Sequence, residues 1–563
     1  MDNQTNMPIE RIPLTQPINT RNGFLNTDSK CVNGYFESSE GMRMFVKRPG
    51  LIAAPDIPSL PAGKGQGIYT FQNNVYAVVN NVLYKMAVPS FATTVVGSLS
   101  GPIATCYFVQ TLDEQYLFLH NGTNGYLLNG TTGVFSQITN DKVAVTTIIT
   151  GGSGYTAPTV VFDPPPSGTT ATGTVQMTSG IITGITITDG GSGYVTAPNV
   201  TINDPTGMGA AATCLLNFFP TSGLVPGAIF LDSYVIVGTP QGRLYSSNVG
   251  DPTTWNALDY ISAEAQPDLS IGIARHLNYV LNFGQWSTEF FYDAGNPIAS
   301  PLNSAPSYQL EIGCLDGNTI VAFDQTVMWV GTSKTGSNSV YLLDGVSPVK
   351  VSSTYIDRIL NRSPTDLFAY AMKYNGHTFY VLTSHLFNVT IVYDVNEKVW
   401  VQWTMWATDD AGNYGEQYFR PLYYTYIGIT HVLLDDDNGK IYGMSENFYT
   451  DSGAPIYYRS VTNLIDNGTT KRKFYNRVEI VGDKVAATMN IRHTDNDYQS
   501  WSPYRAVNLN QSRPQIYQTG AARRRAWEFL CTDNVPLRLD CAEIDFNIGE
   551  LEQDGVGPTQ YRK

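Results

Sequence analysis

Charged residues are scarce in this sequence: Asp, Glu, Lys and Arg make up 15% of its 563 residues. Acidic residues outnumber basic ones by 48 to 34, which gives a formal net charge of −14. This balance excludes a protein that wraps nucleic acid with a broad basic face. A channel through which DNA slides is still compatible with it, because an acidic lining holds no phosphate in place.

Cysteine is rare, and its spacing suggests neither a metal site nor a redox pair. The six cysteines are Cys31, Cys106, Cys214, Cys314, Cys531 and Cys541. We therefore expect reduced, buried thiols. No apolar run reaches the roughly 18 residues of a membrane-spanning helix, and the N-terminus lacks a secretion-signal pattern. The expectation is a protein assembled in a cytosol, without membrane insertion.

Signatures of catalysis and of cofactor binding are also missing. None of the six histidines lies in an HExxH motif or near a GxSxG elbow, and no Walker loop or dinucleotide fingerprint occurs. The run Asp435-Asp436-Asp437-Asn438-Gly439 resembles the opening of a calcium loop, but the closing Glu is absent. A hairpin turn at Asn438-Gly439 explains the same residues. We predict no enzymatic activity, no cofactor and no metal site.

Glycine, tyrosine, proline and phenylalanine are abundant, with 51, 35, 31 and 24 copies. This mix favours strands and tight turns. Short aromatic and β-branched runs alternate with hairpin signals such as Asn80-Asn81 and Asp344-Gly345. The pattern predicts an all-β protein with a β-propeller of about six or seven blades over residues 51–142 and 220–450. A pair of β-sandwiches is the alternative fold.

The string GGSGY occurs twice, at Gly151–Tyr155 and Gly190–Tyr194. Each copy predicts a glycine-permitted turn that leads into a β-branched strand. We interpret residues 143–219 as a small β-repeat module inserted into the propeller. The alternative is a surface that contacts carbohydrate or the host.

The two ends of the chain differ in character from the propeller. Longer strands with period-two alternation follow residue 451, which predicts a C-terminal β-sandwich or platform over residues 451–563. Residues 1–50 have too little hydrophobic periodicity to fold alone. We expect this N-terminal arm to pack against the C-terminal domain or a neighbouring subunit. A short helix is predicted at Ser353–Asn361.

Two basic clusters stand out in this acidic chain, both in the C-terminal region. They are Lys471, Arg472 and Lys473, and Arg523, Arg524 and Arg525. One interpretation is charge at strand edges that prevents sheet-to-sheet aggregation. The other is a surface that contacts an acidic partner protein or the DNA in a channel.

Several segments together resemble the packaged-DNA stabilisation family, the tail-hub or nozzle proteins of short-tailed phages. The segments are Val46-Lys47-Arg48-Pro49-Gly50-Leu51, Trp286-Ser287-Thr288-Glu289-Phe290-Phe291-Tyr292-Asp293-Ala294-Gly295, Ile312-Gly313-Cys314, Val327-Met328-Trp329-Val330-Gly331 and Lys350-Val351-Ser352-Ser353. The order of these segments along the chain is more specific for the family than any single segment is. The resemblance covers roughly residues 30–400, with weaker support at 523–549.

This resemblance implies a structural virion protein that is assembled in the host bacterial cytoplasm. It implies a ring, with six subunits, that extends the DNA channel below the portal and its adaptor, retains packaged DNA and permits its ejection. The implied partners are other copies of the chain, the tail adaptor, tail fibre, spike or needle proteins, and double-stranded DNA. A propeller that binds or cleaves host glycans is the alternative function, supported by the aromatic content and the repeat module.

Overall fold

The computed structural model of this chain consists almost entirely of β-strands. It describes residues 9–549 except 16, 20–27, 40, 53–59, 89, 297–298, 363 and 409–411. Parts of the predicted N-terminal arm and residues 550–563 of the predicted C-terminal sandwich therefore lie outside the described residues. Five strands come first in the chain: β1 (Ile9–Pro13), β2 (Lys30–Val32), β3 (Gly34–Ser39), β4 (Met42–Lys47) and β5 (Gly50–Ile52).

Sheets 1 and 2 follow, each with four antiparallel strands paired in chain order. Sheet 1 contains β6 (Gly65–Phe71), β7 (Asn74–Val79), β8 (Val82–Ala87) and β9 (Ala92–Ser98), and sheet 2 contains β10 (Tyr107–Gln110), β11 (Tyr116–His120), β12 (Gly125–Asn129) and β13 (Phe135–Gln137). Asn80 and Asn81 between β7 and β8 have φ values of 48° and 58°. This left-handed pair makes the tight hairpin turn that the sequence predicted.

The two GGSGY copies form an inserted module of six strands. These are β14 (Val143–Ser153), β15 (Thr159–Phe162), β16 (Thr172–Thr178), β17 (Ile181–Asp189), β18 (Val200–Asn203) and β19 (Met208–Leu216). The copies exchange strands, because β14 pairs with β19, β16 with β17 and β15 with β18. Tyr155 and Tyr194 are each 4% exposed, and their hydroxyls accept from the backbone N–H of Ala210 and Ala171. The repeat tyrosines therefore support the fold and present no aromatic face to solvent.

Sheets 3 to 7 continue the series along the chain. Sheet 3 contains β20 (Ile229–Leu231), β21 (Tyr234–Gly238), β22 (Arg243–Asn248) and β23 (Asp251–Ser262), and sheet 4 contains β24 (Ser270–His276), β25 (Tyr279–Gly284), β26 (Thr288–Asp293) and β27 (Leu302–Ser304). Sheet 5 contains β28 (Gly313–Cys314), β29 (Val321–Phe323), β30 (Thr326–Thr332), β31 (Ser339–Asp344) and β32 (Ser347–Lys350). The helix α1 (Thr354–Arg362) follows at the predicted place.

Sheets 6 and 7 complete the series. Sheet 6 contains β33 (Leu367–Tyr374), β34 (His377–Ser384), β35 (Val389–Asp394), β36 (Val399–Thr408) and β37 (Tyr414–Tyr418). Sheet 7 contains β38 (Pro421–Ile427), β39 (Thr430–Asp435), β40 (Ile441–Ser445), β41 (Thr450–Asp451) and β42 (Ala454–Pro455). Strand β5 joins sheet 7 from the N-terminal side, antiparallel to β40 and parallel to β41.

The seven sheets stand in a ring. Inner strands of neighbouring sheets contact one another in chain order, and β38 of sheet 7 contacts β6 of sheet 1. A hydrophobic cluster fills each space between neighbouring sheets. The described residues therefore form a β-propeller of seven sheets, and β5 closes it by completing the last sheet with a strand that precedes the first.

The C-terminal strands build two further sheets. They are β43 (Tyr458–Val461), β44 (Lys473–Gly482), β45 (Thr488–Thr494), β46 (Arg505–Asn508), β47 (Gln515–Tyr517), β48 (Ala521–Ala522), β49 (Ala526–Cys531) and β50 (Arg538–Ile548). One sheet has the order β3-β4-β50-β44-β47, with β1 on β50 and β48 on β44. The other runs β2-β43-β49-β45-β46 and continues sheet 6, because β2 pairs in parallel with β36. The C-terminal region is thus hydrogen-bonded to the propeller through an N-terminal strand.

Arg48 lies at the junction of these parts and is fully buried. Its guanidinium makes two hydrogen bonds to the carboxylate of Asp451, at 2.9 and 2.6 Å. It also donates to Thr404 O at 2.9 Å and to Asn33 Oδ1 at 3.1 Å. A Cβ on nearby Gly50 would lie 2.3 Å from Thr450 O, so only glycine fits there. The Arg-Pro-Gly segment therefore anchors the strand that closes the propeller.

Two further expectations from the sequence concern cysteine and the membrane. All six cysteines are free and buried, which confirms the expected thiols. In the part of the chain that the structure describes, no helix has the length and apolar character needed to span a membrane.

Candidate functional site: the propeller axis and the basic clusters

Innermost segments of all seven sheets line a cavity of about 1090 Å³ on the propeller axis. A second cavity of about 660 Å³ lies at the end where the inner strands begin. The two cavities share Thr105, Asn318, Phe368, Leu422 and Tyr423 as lining residues. These shared residues mark the level at which side chains converge on the axis.

Side chains from sheets that are not neighbours meet at this level. The hydroxyl of Tyr107 in sheet 2 donates to Asn318 Oδ1 in sheet 5, across the ring. Thr105 and the Tyr423 hydroxyl are 3.4 Å apart, and the Tyr423 and Phe368 rings pack edge to face at 4.9 Å. We call Thr105, Tyr107, Asn318, Phe368 and Tyr423 the axial plug. The major groove of B-DNA is by itself about 12 Å wide, and the whole duplex is wider than one groove. A duplex therefore does not fit through an axis that these side chains bridge.

The second cavity is lined by Asp436 and Asp437 of the acidic run at 435–437. Asp435 accepts from the Asp437 backbone N–H and from Asn438 Nδ2, both at 3.0 Å, so the predicted hairpin turn is confirmed. The Arg420 guanidinium lies 3.4 Å from Asp435 and 2.6 Å from Asp437. Asp436 is 3% exposed, and burial, together with the charge of Asp437, raises its pKa to about 6. Arg420 thus balances two of the three carboxylates.

The six histidines, all within the described residues, have structural partners. His120 and His276 contact the carbonyl oxygens of Gly227 and Gly345, respectively. His377 contacts Asp394, and His385 contacts Asp366. His431 contacts the hydroxyl of Tyr424, and His493 contacts that of Ser502. Burial lowers the pKa of His120 to about 4. His493 contacts a serine hydroxyl at 3.2 Å, but its own backbone N–H also donates to that hydroxyl at 3.0 Å. This contact closes a loop between β45 and β46 and does not activate a nucleophile.

The two basic clusters lie side by side, because Lys473 of β44 pairs with Ala522 of β48. Two of their six members are buried. Lys473 is completely buried and donates to the carbonyls of Asp466, Thr469 and Lys471 at 2.8, 2.7 and 3.1 Å. Burial lowers its pKa.

Arg525 is 1% exposed. It makes two hydrogen bonds to Asp495, at 2.6 and 2.7 Å, and stacks 4.4 Å from the Tyr475 ring centroid. These contacts hold Lys473 and Arg525 inside the C-terminal region, where neither is available to DNA or to a partner. The exposed members, Lys471, Arg472, Arg523 and Arg524, form a small basic patch.

Alanine substitutions should separate the two kinds of basic residue. We expect Lys473→Ala and Arg525→Ala each to lower the free energy of unfolding by about 2 kcal/mol, because each leaves hydrogen-bond acceptors unpaired. Alanine at Lys471, Arg472, Arg523 or Arg524 should change it by less than about 0.5 kcal/mol. Urea denaturation of the six single variants measures this, and equal losses across the six would refute the division.

A family model matches residues 170–449, about half of the chain; its description is "Bacteriophage P22 Gp10, beta-propeller". The match begins inside the inserted module and ends within sheet 7, after β40. It leaves out sheets 1 and 2 and the Arg-Pro-Gly segment, which the resemblance seen in the sequence included. No curated protein matches the chain.

Several solved structures are similar to the chain at low identity. The computationally designed Ika8 protein has 11% identity and a TM-score of 0.33, with 70% of this chain and 99% of that chain covered. A chain of the mitotic checkpoint complex has 8% identity and a TM-score of 0.34, with 71% of this chain and 96% of that chain covered. The Pan2 WD40 domain of Neurospora crassa has 10% identity and a TM-score of 0.34, with 71% of this chain and 95% of that chain covered. TM-scores this low carry no argument about function.

Proposed function

Because the chain belongs to the phage stabilisation family of the P22 Gp10 β-propeller, and is thus a structural component of a phage virion, we propose that it forms a ring in the tail. In this proposal the ring surrounds the DNA channel below the portal and its adaptor. It retains the packaged genome and lets it leave at infection.

The axial plug supports a ring of several copies. Tyr107 and Asn318 bridge the propeller axis, so a duplex cannot pass through a single propeller. The DNA path must then lie outside each subunit, on an axis that identical copies enclose. A closed ring gives every copy the same heterologous contact, and the family resemblance implies six copies. The net charge of −14 suits such a channel, because phosphates are not held by an acidic wall.

The exposed basic patch supports a docking role. Lys471, Arg472, Arg523 and Arg524 concentrate positive charge at one edge of the C-terminal region of an acidic chain. We propose that this patch meets an acidic surface of the tail adaptor or of a fibre, spike or needle protein, since complementary charge steers such encounters. Arg472→Glu with Arg524→Glu should weaken that assembly and leave the fold intact.

The decisive experiment images the protein in its assembled state. We expect electron micrographs of virions, and of the purified protein at high concentration, to show a ring with the propellers around a central hole. Particles assembled without this protein should lose their packaged DNA, as measured by nuclease-protected DNA per capsid. Dispersed monomers together with absence from purified virions would refute the proposal.

A conservative variant tests the DNA path itself. Tyr107→Phe removes the hydroxyl that bridges the propeller axis and keeps the ring that fills the space. If DNA passes outside each subunit, virions carrying Tyr107→Phe should retain and eject DNA as the wild type does. Leakage specific to this variant, with unchanged thermal stability, would place the DNA path through the propeller.

A further inference from the structure

At the acidic end of the propeller axis, an imidazole and a carboxylate lie close together, and each has an atom that is free to bind a metal ion. His385 Nδ1 and Asp366 Oδ1 are 3.1 Å apart. His385 Nε2 is 3.7 Å from Asp436 Oδ2. Neither His385 Nε2 nor Asp436 Oδ1 has a hydrogen-bond partner among the described residues, and Asp436 is 3% exposed. Both residues line the 660 Å³ cavity.

This arrangement matches the way proteins prepare histidine as a metal ligand. A ligating imidazole usually donates its other N–H to a carboxylate, which sets the tautomer and the ring orientation. Asp366 occupies that position at Nδ1, and Nε2 lies on the Asp436 side without a hydrogen-bond partner among the described residues. Ligand atoms about 2.0–2.2 Å from one tetrahedral Zn²⁺ lie roughly 3.4 Å apart. The observed 3.7 Å is close to that separation.

Nearby charges favour a cation at this point. The ligand oxygens of Asp435, Asp436 and Asp437 all lie within 4.8 Å of one another. Arg420 pairs with Asp435 and Asp437 and leaves Asp436 to be balanced. Lys64 is a further cation near Asp436, with its Nζ 3.7 Å away on a side chain that is 57% exposed. A long, exposed lysine can swing into solvent when a tighter ligand arrives.

We propose that His385 and Asp436 bind a divalent cation with mixed nitrogen and oxygen preference, such as Zn²⁺, with Asp366 as the residue that orients the imidazole. Imidazole and carboxylate together suit this class of ion. His385 follows β34 of sheet 6 and Asp436 follows β39 of sheet 7. The ion therefore links the last two propeller sheets.

Calorimetric titration of the full chain with ZnCl₂, after treatment with a chelator, tests the proposal. We expect one ion per chain, loss of binding in His385→Ala and in Asp436→Asn, and a 10- to 100-fold weaker affinity in Asp366→Asn. Lys64→Ala should bind more tightly than the wild type, because it removes the competing cation. This gain of affinity does not depend on a destabilising substitution.

His377 provides a matched control, because its Nδ1 also contacts a carboxylate, that of Asp394 at 2.8 Å. His377→Ala should leave Zn²⁺ binding unchanged, and circular dichroism confirms that each variant is folded. Absence of saturable binding by the wild type would overturn the proposal. Binding that survives His385→Ala, or that Lys64→Ala weakens, would overturn it as well.

Discussion

Arg48→Ala should lower the free energy of unfolding by about 3–5 kcal/mol, because it leaves a buried carboxylate without its counter-charge. Asp451 is 1% exposed and receives both of its charged hydrogen bonds from Arg48. Folded domains are stable by only about 5–15 kcal/mol, so this single loss is large. We expect it to loosen β5, so that limited proteolysis cuts the N-terminal segment faster. Urea denaturation and a protease time course measure the two effects.

Two controls show whether burial causes the loss. Arg538 makes a comparable two-bond contact with Asp483, at 2.9 and 3.3 Å, but the side chains are 50% and 36% exposed. Arg538→Ala should therefore cost less than about 1 kcal/mol. The double variant Arg48→Met/Asp451→Leu should be more stable than Arg48→Ala, because no unpaired charge stays buried. Equal losses for Arg48→Ala and Arg538→Ala would contradict this account.

The propeller could be predicted from the sequence because the signals for its strands and hairpin turns are local. Hairpin signals such as Asn80-Asn81 lie within one sheet, and each turn can be identified from its own residues. Closure of the ring depends on contacts between distant parts of the chain. Nothing local shows that Gly50–Ile52 completes a sheet built from residues near 440. The Arg-Pro-Gly segment is recognisable in the sequence, but the pairing of Arg48 with Asp451 is not predictable from it.

The same limit applies to the candidate sites. A run of basic residues does not reveal which members point inward, and only the structure separates Lys473 and Arg525 from the four exposed residues. His385 and Asp436 are 51 residues apart and belong to different sheets. Neither lies in a recognisable ligand motif. Their proximity follows from the ring order of the sheets, which sequence spacing does not encode.

Alkaline pH should unfold the protein steeply above about pH 10, because buried tyrosines cannot ionise in the folded state. Burial raises the pKa well above its ordinary value of 10 for several tyrosines that are at most 9% exposed, and six of them suffice for the argument. They are Tyr35, Tyr370, Tyr380, Tyr423, Tyr442 and Tyr458. In the unfolded chain these hydroxyls lose their protons near pH 10. The stability they provide is therefore complete below pH 10 and is lost as the pH rises.

The size of the effect follows from linkage. Each protected tyrosine lowers the free energy of unfolding by about 1.4 kcal/mol per pH unit above 10, so six remove on the order of 8 kcal/mol by pH 11. Two buried lysines act in the opposite direction. Burial lowers the pKa of Lys30 and of Lys47 to about 8, so stability rises as the pH increases from 8 toward 10.5. We therefore expect maximal stability just below pH 10.

Tyr370→Phe isolates one of these hydroxyls. The Tyr370 hydroxyl is buried without a hydrogen-bond partner among the described residues, so its removal costs no hydrogen bond. The variant should match the wild type at pH 8 and be more stable by about 1.4 kcal/mol at pH 11. Tyr426→Phe, at a ring that is 48% exposed, should not move the transition. Urea denaturation at each pH, with tyrosinate absorbance at equilibrium, measures both. The difference in tyrosinate absorbance between the wild type and Tyr370→Phe reports this one hydroxyl. Its gradual ionisation well before unfolding would contradict this account, because ionisation of a buried hydroxyl requires the propeller to open first.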